Sequence, residues 1–353
     1  MAGVPPLPAE VLLSKRVQEM VLNGEEPPPL YVCRDGDETE EVSSTLSSIP
    51  IIDVSLFSAS APSSKQEEEL EQLRSALCSW GCFQAKGHGI SSSFLDEIRK
   101  VAREFFQQPM EEKKKYVKGV ADTEGYGGDP VPEEGQPLDW SDRLFLDVYP
   151  EDRRKPKFWP ESPASFRDVL EEYTVKMKVF TETVSKAIAK SLSLEENSFL
   201  NQFGERGALQ ARFNYYLRSD RPDLVLGLKP HADGSGYTVI LQDDVEGLQI
   251  LKDEQWFTVP TISDAFLVLM GDQMEIMTNG VFKSPVHRVV TNSERERISV
   301  AMFYTPEPNK EIGPEEGLVN EERPKLFKKV KDYADIHWEY YQRGTRALHV
   351  AKV

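Results

Sequence analysis

Tyr237-Thr238-Val239-Ile240-Leu241-Gln242 runs without a break, stops at the turn-prone pair Asp243-Asp244, and resumes as Gly247-Leu248-Gln249-Ile250-Leu251. Branched and aromatic residues in short runs, separated by Asp, Asn and Gly, read as strands joined by tight turns. The pattern spreads in both directions from this centre. After Gly207 the apolar period becomes two, with runs at 208–216, 236–242, 247–251, 255–258, 266–270, 284–290 and 296–304 and further turns at Lys252-Asp253 and Asn279-Gly280. Many short strands at close intervals predict a β-sandwich or a jelly roll for residues 207–307.

The rest of the chain reads differently. Residues 1–48 form an arm, with a short amphipathic helix around Val11, Leu12, Val17 and Met20, then Pro27-Pro28-Pro29 and a polar stretch from Asp35 to Ser48. The region 49–160 opens on a short strand (Ile51, Ile52), then a helix on which Leu70, Leu73, Leu77 and Trp80 recur at helical spacing, then the strand-like Cys82–Gln84. Ser93 followed by Asp96 announces a second helix through Ile98, Val101 and Phe105, ended by Pro109. Residues 119–138, rich in Gly, Pro and acids, read as a loop leading into the apolar segment Leu138–Val148. Its Gly125-x-Gly127-Gly128 lacks the preceding strand and following helix of a phosphate-cradling loop. Within 161–206 a long helical pattern covers 163–193 around Leu170, Met177 and Phe180, and 308–353 is a charged, partly helical tail in which His337 and His349 read as surface.

Composition narrows the possible partners. The 353 residues are 39% hydrophobic, enough to bury a substantial core, and carry 59 acidic against 42 basic side chains, a formal net charge of -17. No basic face is available for nucleic acid or an anionic membrane, so neither partner is expected. The opening MAGVPPLPAEV lacks the pattern of a secretory signal, and no apolar run approaches spanning length. Cys33, Cys78 and Cys82 are odd in number and show no zinc spacing, which fits a reducing cytoplasm. Without heptads or an obvious interface pattern, a monomer is expected.

Polar residues recur in pairs on strands that are otherwise apolar. His231 and Asp233 stand two apart, so on a strand both would leave one face. With His287, brought back by a later strand, they would supply two imidazoles and a carboxylate on one face of an octahedral ion, the ligand set of a non-haem Fe(II) oxygenase. An isolated H-x-D is common by chance. This one is followed by Arg297 and Ser299, again two apart, with Ala301 and Phe303 continuing the row, and is preceded by Asn214 and Tyr216 with Arg212 next along. A guanidinium grips a carboxylate with two parallel bonds, and a hydroxyl adds a third.

With these pairs in place, the chain resembles the plant 2-oxoglutarate- and Fe(II)-dependent dioxygenases, a group that includes flavonol and anthocyanidin synthases and alkaloid O-demethylases. The resemblance rests on Arg212-Phe213-Asn214-Tyr215-Tyr216, Leu228-Lys229-Pro230-His231-Ala232-Asp233, Gly247-Leu248-Gln249, Gly271-Asp272, Ser284-Pro285-Val286-His287-Arg288-Val289 and Arg297-Ile298-Ser299. It continues N-terminally through Ile49-Pro50-Ile51-Ile52-Asp53, Trp80-Gly81 and Gly87-His88-Gly89-Ile90, and so covers roughly residues 49 to 345. The resemblance implies an α+β fold: a double-stranded β-helix, or jelly roll, flanked by helices, with a mixed N-terminal region.

It also implies that His231, Asp233 and His287 hold Fe(II), and that Arg297 and Ser299 bind the distal carboxylate of 2-oxoglutarate, with Tyr216 as a further donor and Asn214 close by. Dioxygen is then a cosubstrate and ascorbate the reductant. Succinate and carbon dioxide leave as a small plant metabolite or hormone is hydroxylated, O-demethylated or desaturated. By the same resemblance Arg143, Leu144, Phe145 and Phe303 face the substrate; Arg143 stands where relatives often carry an aromatic residue, which suggests an anionic or strongly hydrogen-bonding substrate. The chain departs from the family pattern at Leu217-Arg218, where Pro-Pro is usual, and at Gly87, where Asn often precedes His-Gly. His88 reads as a structural histidine, since the triad is complete without it. Two other readings compete: an iron oxidase of the aminocyclopropane-carboxylate type, which does not consume 2-oxoglutarate, and a non-catalytic β-roll binding protein.

Overall fold

The computed structural model describes residues 16–33, 49–58, 61–119, 122–129 and 136–353. The strands of its two larger sheets are β1 (Ile51–Asp53), β2 (Cys82–Lys86), β3 (Gly125–Gly127), β4 (Ser141–Tyr149), β5 (Ala208–Tyr216), β6 (Leu226–His231), β7 (Tyr237–Gln242), β8 (Leu248–Lys252), β9 (Gln255–Thr258), β10 (Phe266–Met270), β11 (His287–Val290) and β12 (Arg297–Thr305). They form an eight-stranded sheet in the order β1-β2-β10-β7-β12-β5-β4-β3 and a four-stranded sheet in the order β6-β11-β8-β9, the two walls of a jelly roll. The stretch 49–160 supplies both outer strand pairs of the larger sheet.

Alternation along the central strands divides that sheet into two apolar faces. Val239 and Leu241 of β7 and Ile298, Val300 and Met302 of β12 point outward, where they join the helices. Ile240 and Ala301, between them in sequence, point inward and meet Leu248, Ile250 and Val289 of the smaller sheet. Because the side-chain period of a strand is two, one sequence serves both layers.

The outer face is covered by helices α1 (Val17–Leu22), α2 (Ser63–Ser79), α3 (Ser92–Gln107), α4 (Met110–Lys114) and α5 (Phe166–Ser191), while α6 (Ser198–Phe203), α7 (Asp272–Met277) and α8 (Tyr333–Gln342) close other sides. On α5 the buried side chains Leu170, Tyr173, Met177, Phe180, Val184 and Ile188 follow one another at three or four residues, a single helical stripe. Fully burying an apolar side chain of this size contributes roughly 1.5–3 kcal/mol.

Several boundaries depart from the sequence reading. The second helix is capped by Ser91, whose hydroxyl accepts from the Phe94 amide at 3.3 Å, rather than by Ser93. The stretch 119–138 is not all loop: β3 pairs with β4 around the fully buried Tyr126, and its two glycines, Gly127 at φ +143°, hide the strand from any propensity argument. The run 284–290 forms a strand only from His287 onward, as the preceding Ser284-Pro285 cannot extend the ladder. In the arm, Val17 and Met20 are buried against the body, whereas Val11 and Leu12 lie outside the described residues. The Asp142 carboxylate on β4 accepts from the amides of Val17 and Gln18 at 3.3 and 3.2 Å, satisfying donors that the first turn of α1 leaves open. No helix among the described residues is long and apolar enough to cross a membrane.

Candidate metal and cosubstrate site

His231 ends β6 and His287 begins β11, and the two are direct cross-strand partners, so the pairing of the smaller sheet brings distant positions together. Their ring centroids are 4.3 Å apart. Asp233 is not on the strand, as its spacing from His231 suggested; β6 stops at His231 and the carboxylate comes from the turn that follows. That turn is held by the Asp233 carbonyl accepting from the Asp272 amide at 2.7 Å. Asp233 Oδ1 lies 3.4 Å from His231 Nε2 and 3.7 Å from His287 Nε2, and one ligand atom from each residue falls within 4.8 Å of the others.

Both imidazoles are oriented from behind. Nδ1 of His231 faces the Lys229 carbonyl at 2.9 Å and Nδ1 of His287 faces the Pro285 carbonyl at 3.3 Å, which places the proton on Nδ1 and turns an unprotonated Nε2 toward the shared centre. Burial, with the nearby His231, pushes His287 down to about 4, so it is neutral at pH 7. Burial works against ionisation of Asp233, yet the two histidines and the Thr238 hydroxyl, 2.5 Å from Oδ2, hold its carboxyl well below the usual carboxylate range. A divalent metal takes unprotonated imidazole nitrogens and an ionised carboxylate, and this cluster offers two imidazoles and one carboxylate. The donor set therefore fits Fe(II).

Across the cavity, β5 and β12 present the polar rows. Arg297 pairs with Tyr216 and Ser299 with Asn214 in register, and Asn214 Nδ2 donates to Ser299 Oγ at 3.3 Å. The Arg297 guanidinium lies 5.1 Å from the Tyr216 ring centre and donates to the Val245 carbonyl at 3.0 Å and to Gln242 Oε1 at 2.7 Å. Its Nη1 is buried and has no hydrogen-bond partner among the described residues. A buried guanidinium donor without an acceptor is uncommon in a folded protein and suits the carboxylate of a bound cosubstrate. The cavity between the sheets is lined by His231, Asp233, His287, Ser299 and Tyr216 among others.

The expected substrate-facing residues divide. Phe303 lines the cavity, and Phe145 on β4 lies 6.1 Å from it, ring centre to ring centre. Arg143 is buried and engaged by Asp129. Leu144 does not face the cavity: it sits on the opposite side of β4, fully buried in the outer core, as a residue adjacent to two inward-facing neighbours must. His88 is structural, with Nδ1 accepting from the Ile90 amide at 3.2 Å and Nε2 bonded to the Asp264 carbonyl at 3.0 Å.

Three contributors escaped the sequence. Thr238 anchors Asp233, and its place in the row Thr238, Ile240, Gln242 could have marked it as a polar group on an inward face. His337 and Tyr341, one turn apart on α8, carry no such mark: His337 Nε2 bonds the Ala232 carbonyl at 2.8 Å, and Tyr341 packs edge-on against His231 at 5.4 Å. His337 is thus no ordinary surface residue. His349 is exposed, as expected.

Comparisons with known proteins agree with this architecture. Residues 208–306 match the 2OG-Fe(II) oxygenase superfamily, and residues 49–162 match the N-terminal region of non-haem dioxygenases in morphine synthesis. The chain is 40% identical over 332 residues to Protein SRG1 of Arabidopsis thaliana, covering 92% of each, and 40% identical to codeine O-demethylase of Papaver somniferum, covering 93% of this chain and 92% of that protein. A crystal structure of JOX2 in complex with 2OG, Fe and JA superposes with a TM-score of 0.84 at 32% identity, over 96% of this chain and 98% of that one. The chain belongs to the plant 2-oxoglutarate- and Fe(II)-dependent oxygenase family. It is an oxidoreductase of the type that acts in plant specialised or hormone metabolism.

Proposed function

We propose that the protein oxidises a C–H bond of a small plant metabolite or hormone, releasing succinate and carbon dioxide, with hydroxylation, O-demethylation or desaturation as the outcome. The observation that carries this reading is the placement of the His231, Asp233 and His287 cluster in one cavity with the Tyr216 and Ser299 row, beside the unpartnered Nη1 of buried Arg297. His231, Asp233 and His287 would hold Fe(II). Bound iron, with 2-oxoglutarate and dioxygen, supplies the oxidant that removes hydrogen from a substrate carbon.

The remaining steps belong to the chain's own residues. Arg297 and Ser299 bind the distal carboxylate of 2-oxoglutarate, with Tyr216 and Asn214 closing that end. Phe303 and Phe145 wall the substrate side and keep water out. Demethylation draws support from relatives named codeine O-demethylase and thebaine 6-O-demethylase, and hydroxylation or another oxidation from the Arabidopsis proteins named jasmonate-induced oxygenases.

The test incubates the protein aerobically with Fe(II), ascorbate, 2-oxoglutarate and a plant extract, and follows succinate together with compounds that gain one oxygen or lose a methylene. Succinate is expected in step with those products, and Asp233→Ala is expected to lose both bound iron and succinate. Undiminished succinate from Asp233→Ala would overturn the ligand assignment. Oxidised products without consumption of 2-oxoglutarate would instead place the enzyme with the oxidases that do without it.

A further inference from the structure

Three cations share one carboxylate at the end of the cavity away from Arg297. Asp129 accepts from Arg143 Nε at 3.0 and 3.1 Å and also from its Nη2; Lys118 Nζ lies 3.3 Å from Oδ1, and Arg212 Nη1 lies 3.4 Å from Oδ2. The side chains of Asp129 and Lys118 are 2% exposed, those of Arg143 and Arg212 4% and 14%. The neighbouring pair Lys229 and Asp139, 3.4 Å apart, is balanced in itself. Among the described residues this cluster therefore carries two more positive charges than negative ones.

Buried charge without a counter-ion is costly, and a protein sheds it where it can. Lys118 shows the strain: burial, then the charge of Arg143, push it down to about 8. The two guanidiniums have no such escape, since arginine does not lose its proton in proteins. Among the described residues a surplus charge thus remains even when Lys118 is neutral.

The surplus is reachable from the cavity. Arg212 is one of its lining residues; Nε donates to Asn214 Oδ1 at 2.7 Å, Nη1 faces Asp129, and no hydrogen bond is made to Nη2 among the described residues. Arg212 and Tyr216 lie on the same face of β5, four residues apart, so this cationic pole stands about 13 Å along the strand from the one formed by Arg297. The aromatic walls lie at and beyond the Arg212 pole: Phe303, in register with Gln210, lines the cavity, Phe145, in register with Arg212, pairs with it, and Arg143 stacks 5.3 Å from the Phe145 ring, while Asn214, Ser299 and Ala301 stand between the two poles.

We infer that the substrate is a small, largely apolar molecule bearing a carboxylate, seated against Arg212 with Arg143 behind it. Asp129 supplies part of the neutralisation and orders the two guanidiniums; the substrate's anion supplies the rest. A cationic amine is disfavoured at this pole by like-charge repulsion. The inference rests on the reading of the cavity beside the His231 cluster as the substrate site.

The experiment measures binding rather than turnover. The full chain, loaded with Fe(II) and saturated with 2-oxoglutarate under argon so that Arg297 is occupied, is titrated in a calorimeter with cinnamate, methyl cinnamate and cinnamylamine. Cinnamate is expected to bind about tenfold more tightly than its ester, with the amine weakest. Arg143→Met should remove most of that preference by weakening the acid more than the ester, and Arg143→Lys should keep part of it. Asp129→Asn should act in the opposite direction and tighten cinnamate, an effect that mere loss of packing would not produce. Equal binding of acid and ester, no detectable binding of the acid, or a folded Asp129→Asn that weakens it overturns the inference. Should Asp129→Asn not fold, as judged by circular dichroism, the contrast between Arg143→Met and Arg143→Lys decides. Succinate production is assayed separately, so a failed oxygenase reading and a failed carboxylate preference give different results.

Discussion

Arg297 is held on one side by the Val245 carbonyl and Gln242, and stacked near the Tyr216 ring, so its free Nη1 is fixed in place before any ligand arrives. Such preorganisation suits a guanidinium, whose planar fork meets a carboxylate with two bonds, and does not suit an ammonium. Arg297→Lys is accordingly expected to raise the KM for 2-oxoglutarate about tenfold or more, the loss of roughly 1.5–3 kcal/mol for a charged hydrogen bond, with a smaller change in kcat. Steady-state kinetics at saturating substrate check this; an unchanged KM would remove Arg297 from the cosubstrate site. At this scale the sequence was informative. The residue types His, Asp, His, Arg and Ser, in their order, declared the chemistry, whereas the orienting partners Lys229 and Pro285 act through carbonyls that every residue possesses and so leave no trace in sequence.

Elements explain how the cluster of His231, Asp233 and His287 is held from outside the jelly roll. Helix α8 lies over the turn after β6, where His337 bonds the Ala232 carbonyl between two proposed ligands. Gly234 leaves room for that imidazole: a Cβ there would come within 2.2 Å of His337 Cγ. Gly234→Ala must therefore displace either the helix or the turn, and is expected to weaken metal binding about tenfold, read by competition with a coloured chelator. Adding His337→Ala should recover part of the loss, because it removes the clash. Wild-type affinity in Gly234→Ala alone would show that α8 does not position the turn. Strand periodicity had located β5, β9 and β10 to the residue, since alternation under two apolar faces is a strong local signal. It misplaced the start of α3 and hid β3, where a competing serine and paired glycines carry the local geometry instead.

The whole molecule buries charge on its outer layer as well as at its site. Lys113 on α4 is 1% exposed and reaches across to the arm, donating to the Phe106 carbonyl at 2.6 Å and to Gln18 Oε1; burial outweighs the pull of Asp142 and pushes it down from 10.5 to about 8. Between those values the unfolded chain keeps a proton that the folded chain has released, so this residue's contribution to stability rises with pH. Urea denaturation is expected to show wild type gaining on Lys113→Met as the pH is raised from about 8 to 10, with Lys118→Met behaving alike. A difference that stays constant across that window would show that these lysines do not titrate on folding. From the sequence alone came the jelly roll and the His231, Asp233 and His287 grouping that the structure brings together, along with the proposed cosubstrate pair, because residue type and period are local properties and the motifs lie within single strands or next to them. Only the tertiary structure decided that Asp233 approaches from a turn, that Leu144 faces the core, that α8 backs the cluster of His231, Asp233 and His287, and that Lys118, Arg143 and Arg212 gather around Asp129. Each of these depends on which distant surfaces pack together, and a one-dimensional pattern does not encode that.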